Sequence, residues 1–138
     1  MKINCKIINK GGAETKKEIS GEVLVTKEAI SFLGGIDPKT GIVTEKGHEL
    51  YNKSIKDKIL IFPRGKGSTV GSYVIYAAKK EGNAPMAIIN AHAEPIVAVG
   101  AIISDIAMFE ADTDNLIKTG DVIKIDVEKG EIEKLNLN

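Results

Sequence analysis

The sequence predicts an α/β fold, a sandwich or half-open barrel with few helices. Three observations carry that reading: a strand, a glycine-rich turn, a helix and a second strand follow one another from Lys58 to Ile89; short apolar runs precede them; and an alternating segment near the C-terminus folds back on itself. At 138 residues the chain is long enough to bury one core and short for two, so residues 1–138 are expected to form a single domain.

Residues 2 to 8 and 21 to 26 are apolar runs separated by the polar, Gly- and Lys-rich segment Asn9 to Glu18, the pattern of two strands joined by an exposed loop. In the run from Ile30 to Val43, two apolar stretches flank turn formers. This predicts a strand from Ile30, a special-geometry turn at Gly34-Gly35 and a second turn from Asp37 to Gly41. Ile59-Leu60-Ile61-Phe62 is a continuous apolar run of the kind buried on both faces, and it stops at Pro63. From Ser68, residues Val70, Tyr73, Val74 and Ala77 recur at helical spacing, and Lys79-Lys80 complement the negative helix end before Gly82. Pro85 to Ile89 reads as another buried strand. Glu94 to Ile103 fits a helix with Pro95 in its first position, although its β-branched content also permits a strand. Ile106 to Glu110 reads as a short strand. Val122 to Val127 alternates with period two, and Glu128-Lys129-Gly130 turns it into Ile132 to Leu135 as a hairpin.

The composition closes off several classes of function. The 19 basic and 19 acidic residues cancel, leaving no electrostatic footprint for nucleic acid or an anionic membrane surface, so neither is an expected partner. The apolar stretch from Ile96 to Met108 is too short and interrupted to span a bilayer, and Met1-Lys2-Ile3-Asn4 lacks the apolar run of a signal peptide. Cys5 is the only cysteine, which excludes an intrachain disulfide and fits a reducing, cytoplasmic compartment. With His48 and His92 far apart, it cannot supply the about three or four ligands that zinc or an iron–sulfur cluster takes, so no metal site is expected on this chain.

Chemistry concentrates in Phe62-Pro63-Arg64-Gly65-Lys66-Gly67-Ser68-Thr69-Val70-Gly71-Ser72-Tyr73. A glycine-rich turn between a buried strand and a helix aims backbone N–H groups and the positive helix end at one space, which suits an anion or a developing oxyanion. Ser68 is a candidate for chemistry there and equally for a helix cap. A P-loop is excluded because Leu60 stands where its first glycine would fall, and a dinucleotide fingerprint because Gly71 comes one residue late after Gly65 and Gly67. His92 and Glu94 follow a strand end, where ligands bind in α/β sheets, yet Glu94 before Pro95 is also a natural cap.

Three separated motifs, Phe32-Leu33-Gly34-Gly35-Ile36-Asp37-Pro38, then Phe62 to Thr69, then Asn90-Ala91-His92-Ala93-Glu94-Pro95-Ile96 with Gly100-Ala101-Ile102, resemble the aconitase X small subunit family over nearly the whole chain. That resemblance implies a swivelling β/β/α domain of the aconitase C-terminal type. It also implies a partner, a large subunit holding a 4Fe-4S cluster, which explains how a single cysteine suffices here. In the wider superfamily the corresponding loop reads Gly-Ser-Ser-Arg-Glu and its first serine is the base. Aligned through Gly67, that serine falls on Ser68. Here Thr69-Val70-Gly71 replaces Ser-Arg-Glu, so the usual arginine is missing and Arg64, four residues before Ser68, is the candidate to supply positive charge in its place.

By that resemblance Ser68 is the catalytic residue; the residues around it make Arg64, Gly65, Gly67 and Thr69 candidates for substrate binding, and Gly34, Gly35, Asp37, Asn90, His92 and Glu94 candidates for a cleft, with turn or cap chemistry as the alternative for Gly34, Gly35, Asp37 and Glu94. The implied reaction is dehydration of a small phosphorylated hydroxy acid, 5-phosphomevalonate, to an anhydromevalonate phosphate. Two alternatives stay open: another substrate such as hydroxyproline, and a swivel-fold binding domain without catalysis. Serine needs help for such work, because a neutral hydroxyl is a very weak base unless a preorganised field stabilises its alkoxide.

Overall fold

A computed structural model describes residues 1–11 and 17–135. In chain order the elements are β1 (Lys2–Asn4), β2 (Lys6–Asn9), β3 (Glu18–Val25), a helical turn α1 (Phe32–Gly35), β4 (Ile36–Asp37), β5 (Ile42–Val43), β6 (Ile59–Phe62), α2 (Gly71–Lys80), β7 (Ala87–Asn90), α3 (Pro95–Ile103), β8 (Ala107–Glu110), β9 (Val122–Asp126) and β10 (Glu131–Lys134). The middle of the expected loop between Asn9 and Glu18 lies outside the described residues.

The centre of the molecule is the unit β6-α2-β7-α3-β8, whose three strands are parallel. β3 joins them in parallel beside β6 and turns its other edge, antiparallel, to β9. Along β6 the two faces alternate. Ile59 and Ile61 enter one core with Val23, Ile89, Phe109, Ile123 and Ile125. Leu60 and Phe62 enter a second with Leu24, Ile75, Ile88, Val97 and Met108, the side that α2 and α3 cover. A continuous apolar strand sequence is the physical consequence of being buried on both faces.

The strand order is β1-β10-β9-β3-β6-β7-β8-β2. Its two ends are consecutive in sequence and meet at Cys5, whose N–H donates to the Gly130 carbonyl at 2.8 Å. The sheet is thereby nearly closed around the first core, and the helices cover its parallel half from outside. The result is three layers, β/β/α, a mixed sheet approaching a barrel with few helices, as the sequence predicts.

Four local readings need correction. The run of residues 2 to 8 is two strands, not one, because it pairs with β10 up to Asn4 and with β8 from Lys6. The run from Ile30 is not a strand: Ile30 makes one parallel bridge to Gly65, Ser31 Oγ donates to the Leu33 carbonyl, and Gly34 at φ 81° curls the chain. This turns Phe32 onto Phe62 at 5.9 Å between ring centroids. β3 starts at Glu18 rather than residue 21, because β9 offers partners from Asp126 back to Val122. Regular helix α2 begins at Gly71 rather than Ser68; residues 68–70 form a tighter turn in which Gly71 N–H donates to Ser68 O. The segment from Pro95 to Ile103 is a helix, which settles its ambiguity.

Candidate active-site loop

Pro63 to Val70 leaves the carboxyl end of β6 and enters α2 between two flanking segments. On one side Ile30 N–H donates to Arg64 O, and Lys66 N–H donates back to Ile30 O. On the other, His92 N–H donates to Pro63 O at 2.9 Å. The second motif and the start of the third therefore meet, with the segment leading into the first, at the carboxyl end of the parallel strands, where α/β sheets bind ligands.

Two glycines make this approach possible. A Cβ on the buried Gly65 would lie 2.6 Å from both Glu94 Oε1 and Val97 Cγ2, so only hydrogen lets the loop seat against the start of α3. Gly67 stands at φ 89°, a conformation costly for other residues, and a Cβ there would sit 2.6 Å from Ser31 Oγ.

Ser68 follows, exposed at the entrance to α2. Its Oγ accepts the Val70 N–H at 3.1 Å, a serine turn ahead of the helix; the N-cap position of α2 is Val70, not Ser68, and carries no side-chain cap. That N–H is aimed at the oxygen and the 10-residue helix α2 begins three residues on, so negative charge developing on Oγ would meet a donor where it forms. Turn and base are compatible roles for one geometry.

Arg64 and Thr69 are exposed beside Ser68 in sequence, and Thr69 O accepts the Ser72 N–H. Lys66 reaches Glu45 at 3.5 Å, both side chains partly exposed, a tether of small energetic weight. Glu94 caps α3 with both oxygens, Oε1 accepting Val97 N–H at 2.9 Å and Oε2 accepting Ile96 N–H at 3.1 Å. His92 is exposed. Asn90 is fully buried beneath the loop, where Nδ2 donates to Phe62 O at 3.0 Å while its Oδ1 has no hydrogen-bond partner.

The remaining cleft candidates separate. Gly34 is open, with nothing within 4 Å of a Cβ there, whereas Gly35 is buried against Ser31 and Glu45. Asp37 turns away altogether: its carboxylate accepts Lys39 N–H, and the adjoining Pro38 O accepts from Asn83 Nδ2 at 3.1 Å. Asn83 follows the C-terminal end of α2, so Asp37 lies toward the end of that helix away from Ser68.

A recess of about 320 Å³ opens at the same carboxyl ends, lined by Thr26, Lys27, Pro63, Ala91, Asp112 and Asn115 among others. Sequence reading passed it over, because Asp112-Thr113-Asp114-Asn115 presents only turn formers; Asp114 and Asn115 do adopt positive φ. A second recess, about 360 Å³, lies between α2 and α3 and includes Thr69, Val70, Ser72, Tyr73, Ile96 and Val99.

A family model for the aconitase X swivel domain matches residues 3–134. The chain belongs to the aconitase X swivel-domain family. Phosphomevalonate dehydratase small subunits share this swivel domain: that of Methanococcoides burtonii is 51% identical over 99% of this chain and 97% of its own length, and that of Thermococcus kodakarensis 53% identical over 98% and 97%. The crystal structure of Thermococcus kodakaraensis aconitase X in its holo-form superposes with a TM-score of 0.89 at 51% identity, covering 99% of both chains. The β/β/α layering is therefore the swivel fold.

Proposed function

We propose that this chain is the small subunit of a phosphomevalonate dehydratase, a hydro-lyase, with Ser68 as its base. The reading is carried by identity above one half, along almost the full length, to chains bearing that name. In this reading Ser68, as its alkoxide, takes a proton from carbon, the C–H electrons become the new double bond, and the C–O bond at the neighbouring carbon breaks to release hydroxide, giving trans-anhydromevalonate 5-phosphate. The Val70 N–H holds the charge that passes through Oγ. Arg64, Gly67 and Thr69 form the wall that receives the anionic substrate, the buried Gly65 seats that loop on α3, and His92 stands at its rim.

An iron–sulfur cluster, implied by kinship with aconitases, does not fit the residues of this chain. Among the described residues no group of three or more His, Cys, Asp and Glu is placed to hold a metal ion. Cys5 lies half-buried on the closing strand, where burial pushes its thiol up to about 11, away from the thiolate that metals bind. His48 is engaged at both nitrogens, with Ala29 O and Leu50 N–H. We assign the cluster to a large subunit, with which this chain works in the cytoplasm. No helix in the described residues is long and apolar enough to cross a membrane.

The test is anaerobic reconstitution with a cluster-loaded large subunit. The small chain alone should show no turnover, and the pair should dehydrate 5-phosphomevalonate. Ser68→Ala should lower the rate by ~10²–10⁴ while the heterodimer still forms. Near-normal turnover by the Ser68→Ala pair would return this residue to a turn former alone; turnover of hydroxyproline in place of phosphomevalonate would move the chain to another aconitase X enzyme; a pair with no turnover would make it a binding domain.

A further inference from the structure

We infer that the apolar face formed by α3 and the first turn of α2, running from Leu33 and Val70 through Tyr73 and Val99 to Ile102 and Ile103, is the surface on which the large subunit docks. This rests on the two-subunit reading above and adds where the partner sits.

The first observation is α3 itself. Its sequence, Pro-Ile-Val-Ala-Val-Gly-Ala-Ile-Ile, carries no charge, and only its inner side is covered: Val97, Gly100 and Ala101 are buried. On its outer side Val99 is 47% exposed and Ile102 53%. A helix apolar all round belongs in an interior. This one has nine residues, about 14 Å, far short of a bilayer, so the interior in question is that of a protein assembly. Tyr73 on α2, 67% exposed, adds the kind of aromatic side chain that anchors interfaces.

The second is position. The recess between α2 and α3 includes Thr69 and Val70, the residues that follow Ser68. In water an exposed serine hydroxyl is no base; the proposed chemistry requires a surface to close over it and exclude solvent. A partner seated on the α2–α3 face would cover the Ser68 loop in the same act. The opposite end of the molecule is unsuited, since the surface around β9, β10 and β1 is studded with Lys2, Glu18, Lys124, Lys129, Glu131 and Glu133.

The test measures binding to the cluster-loaded large subunit by sedimentation or calorimetry for Val99→Lys and Ile102→Lys, with Lys129→Ala as a control at the charged end. Both lysine variants should weaken Kd by at least tenfold, the control by less than twofold. On adding the large subunit to the unmutated chain, amide exchange should slow in residues 68–76 and 95–103 and stay unchanged in 122–134, a readout independent of how the variants fold. Unchanged Kd for both variants in a pair that binds and turns over would overturn the docking face and leave the proposed function standing. Protection confined to 122–134 would do the same. A self-associated small chain that Ile102→Lys dissolves without touching the heterodimer would make the face a contact between copies and also overturn the inference. A wild-type pair that neither binds nor turns over would instead strike the two-subunit reading.

Discussion

The hydrogen bond from Val70 N–H to Ser68 Oγ illustrates how one residue serves fold and chemistry together, because the donor that caps the turn would also lower the proton affinity of the oxygen. The residue that aims this oxygen is Gly67. Its φ of 89° costs an L-residue about 1–2 kcal/mol, and a Cβ there would press on Ser31 Oγ at 2.6 Å. Gly67→Ala is therefore expected to displace the loop and reduce turnover by a larger factor than its modest loss of stability suggests. Adding Ser31→Ala removes the oxygen and leaves Ser31 Cβ at 3.4 Å, so the double variant should recover part of the lost rate. Turnover of the reconstituted pair, followed beside urea midpoints of the small chain, separates the two effects; a double variant no better than the single one would place the whole cost in the backbone angle.

Among the elements, α3 is fixed at its start by a cap beside the loop and along its inner side by close packing on α2. Glu94 caps its first turn with two hydrogen bonds, and Gly100 lets α2 approach, a Cβ there falling 2.5 Å from Ile75 Cδ1. Glu94→Ala should cost about 0.5–2 kcal/mol as a lost cap, and Gly100→Ala about 1–3 kcal/mol by overpacking, both read by denaturant unfolding. Turnover by the Glu94→Ala pair should stay near normal if capping is its whole task, while a large rate loss without loss of stability would make Glu94 part of the substrate site. These elements were legible in the sequence because their signals are local: the unbroken run of β6, Pro95 at a helix start, the period-two hairpin of β9 and β10. Ile30 to Leu33 misled because its apolar pattern suits a strand, while its conformation is set by Phe32 meeting Phe62, thirty residues away. The loop from Phe62 to Thr69 was legible for the same reason as the strands, being contiguous. That Asp37 lies at the far end of α2 was not, since it depends on Asn83 reaching Pro38 O.

At the scale of the whole molecule, residues 2–9 act as a strap, and its division was invisible in a sequence that shows one apolar run. β1 pairs with β10 and β2 with β8, so two short strands close a sheet whose other members are held in register along its length. The junction is Cys5, where the N–H donates to Gly130 O; Gly130 stands at φ 71° and approaches so closely that a Cβ would lie 2.6 Å from Cys5 O. The strap covers the edges that β10 and β8 would otherwise expose. Cys5→Pro removes the N–H and leaves the Gly130 carbonyl without its donor, a loss of ~1–3 kcal/mol when such a group is buried. Cys5→Ser keeps the N–H and should stay close to wild type. If the strap closes the barrel as one unit, hydrogen exchange in Cys5→Pro will show protection falling together in β10 and β8, although these strands sit near opposite ends of the strand order. Loss confined to β10 would mean that β1 merely decorates an edge and that the core holds the barrel shut without it.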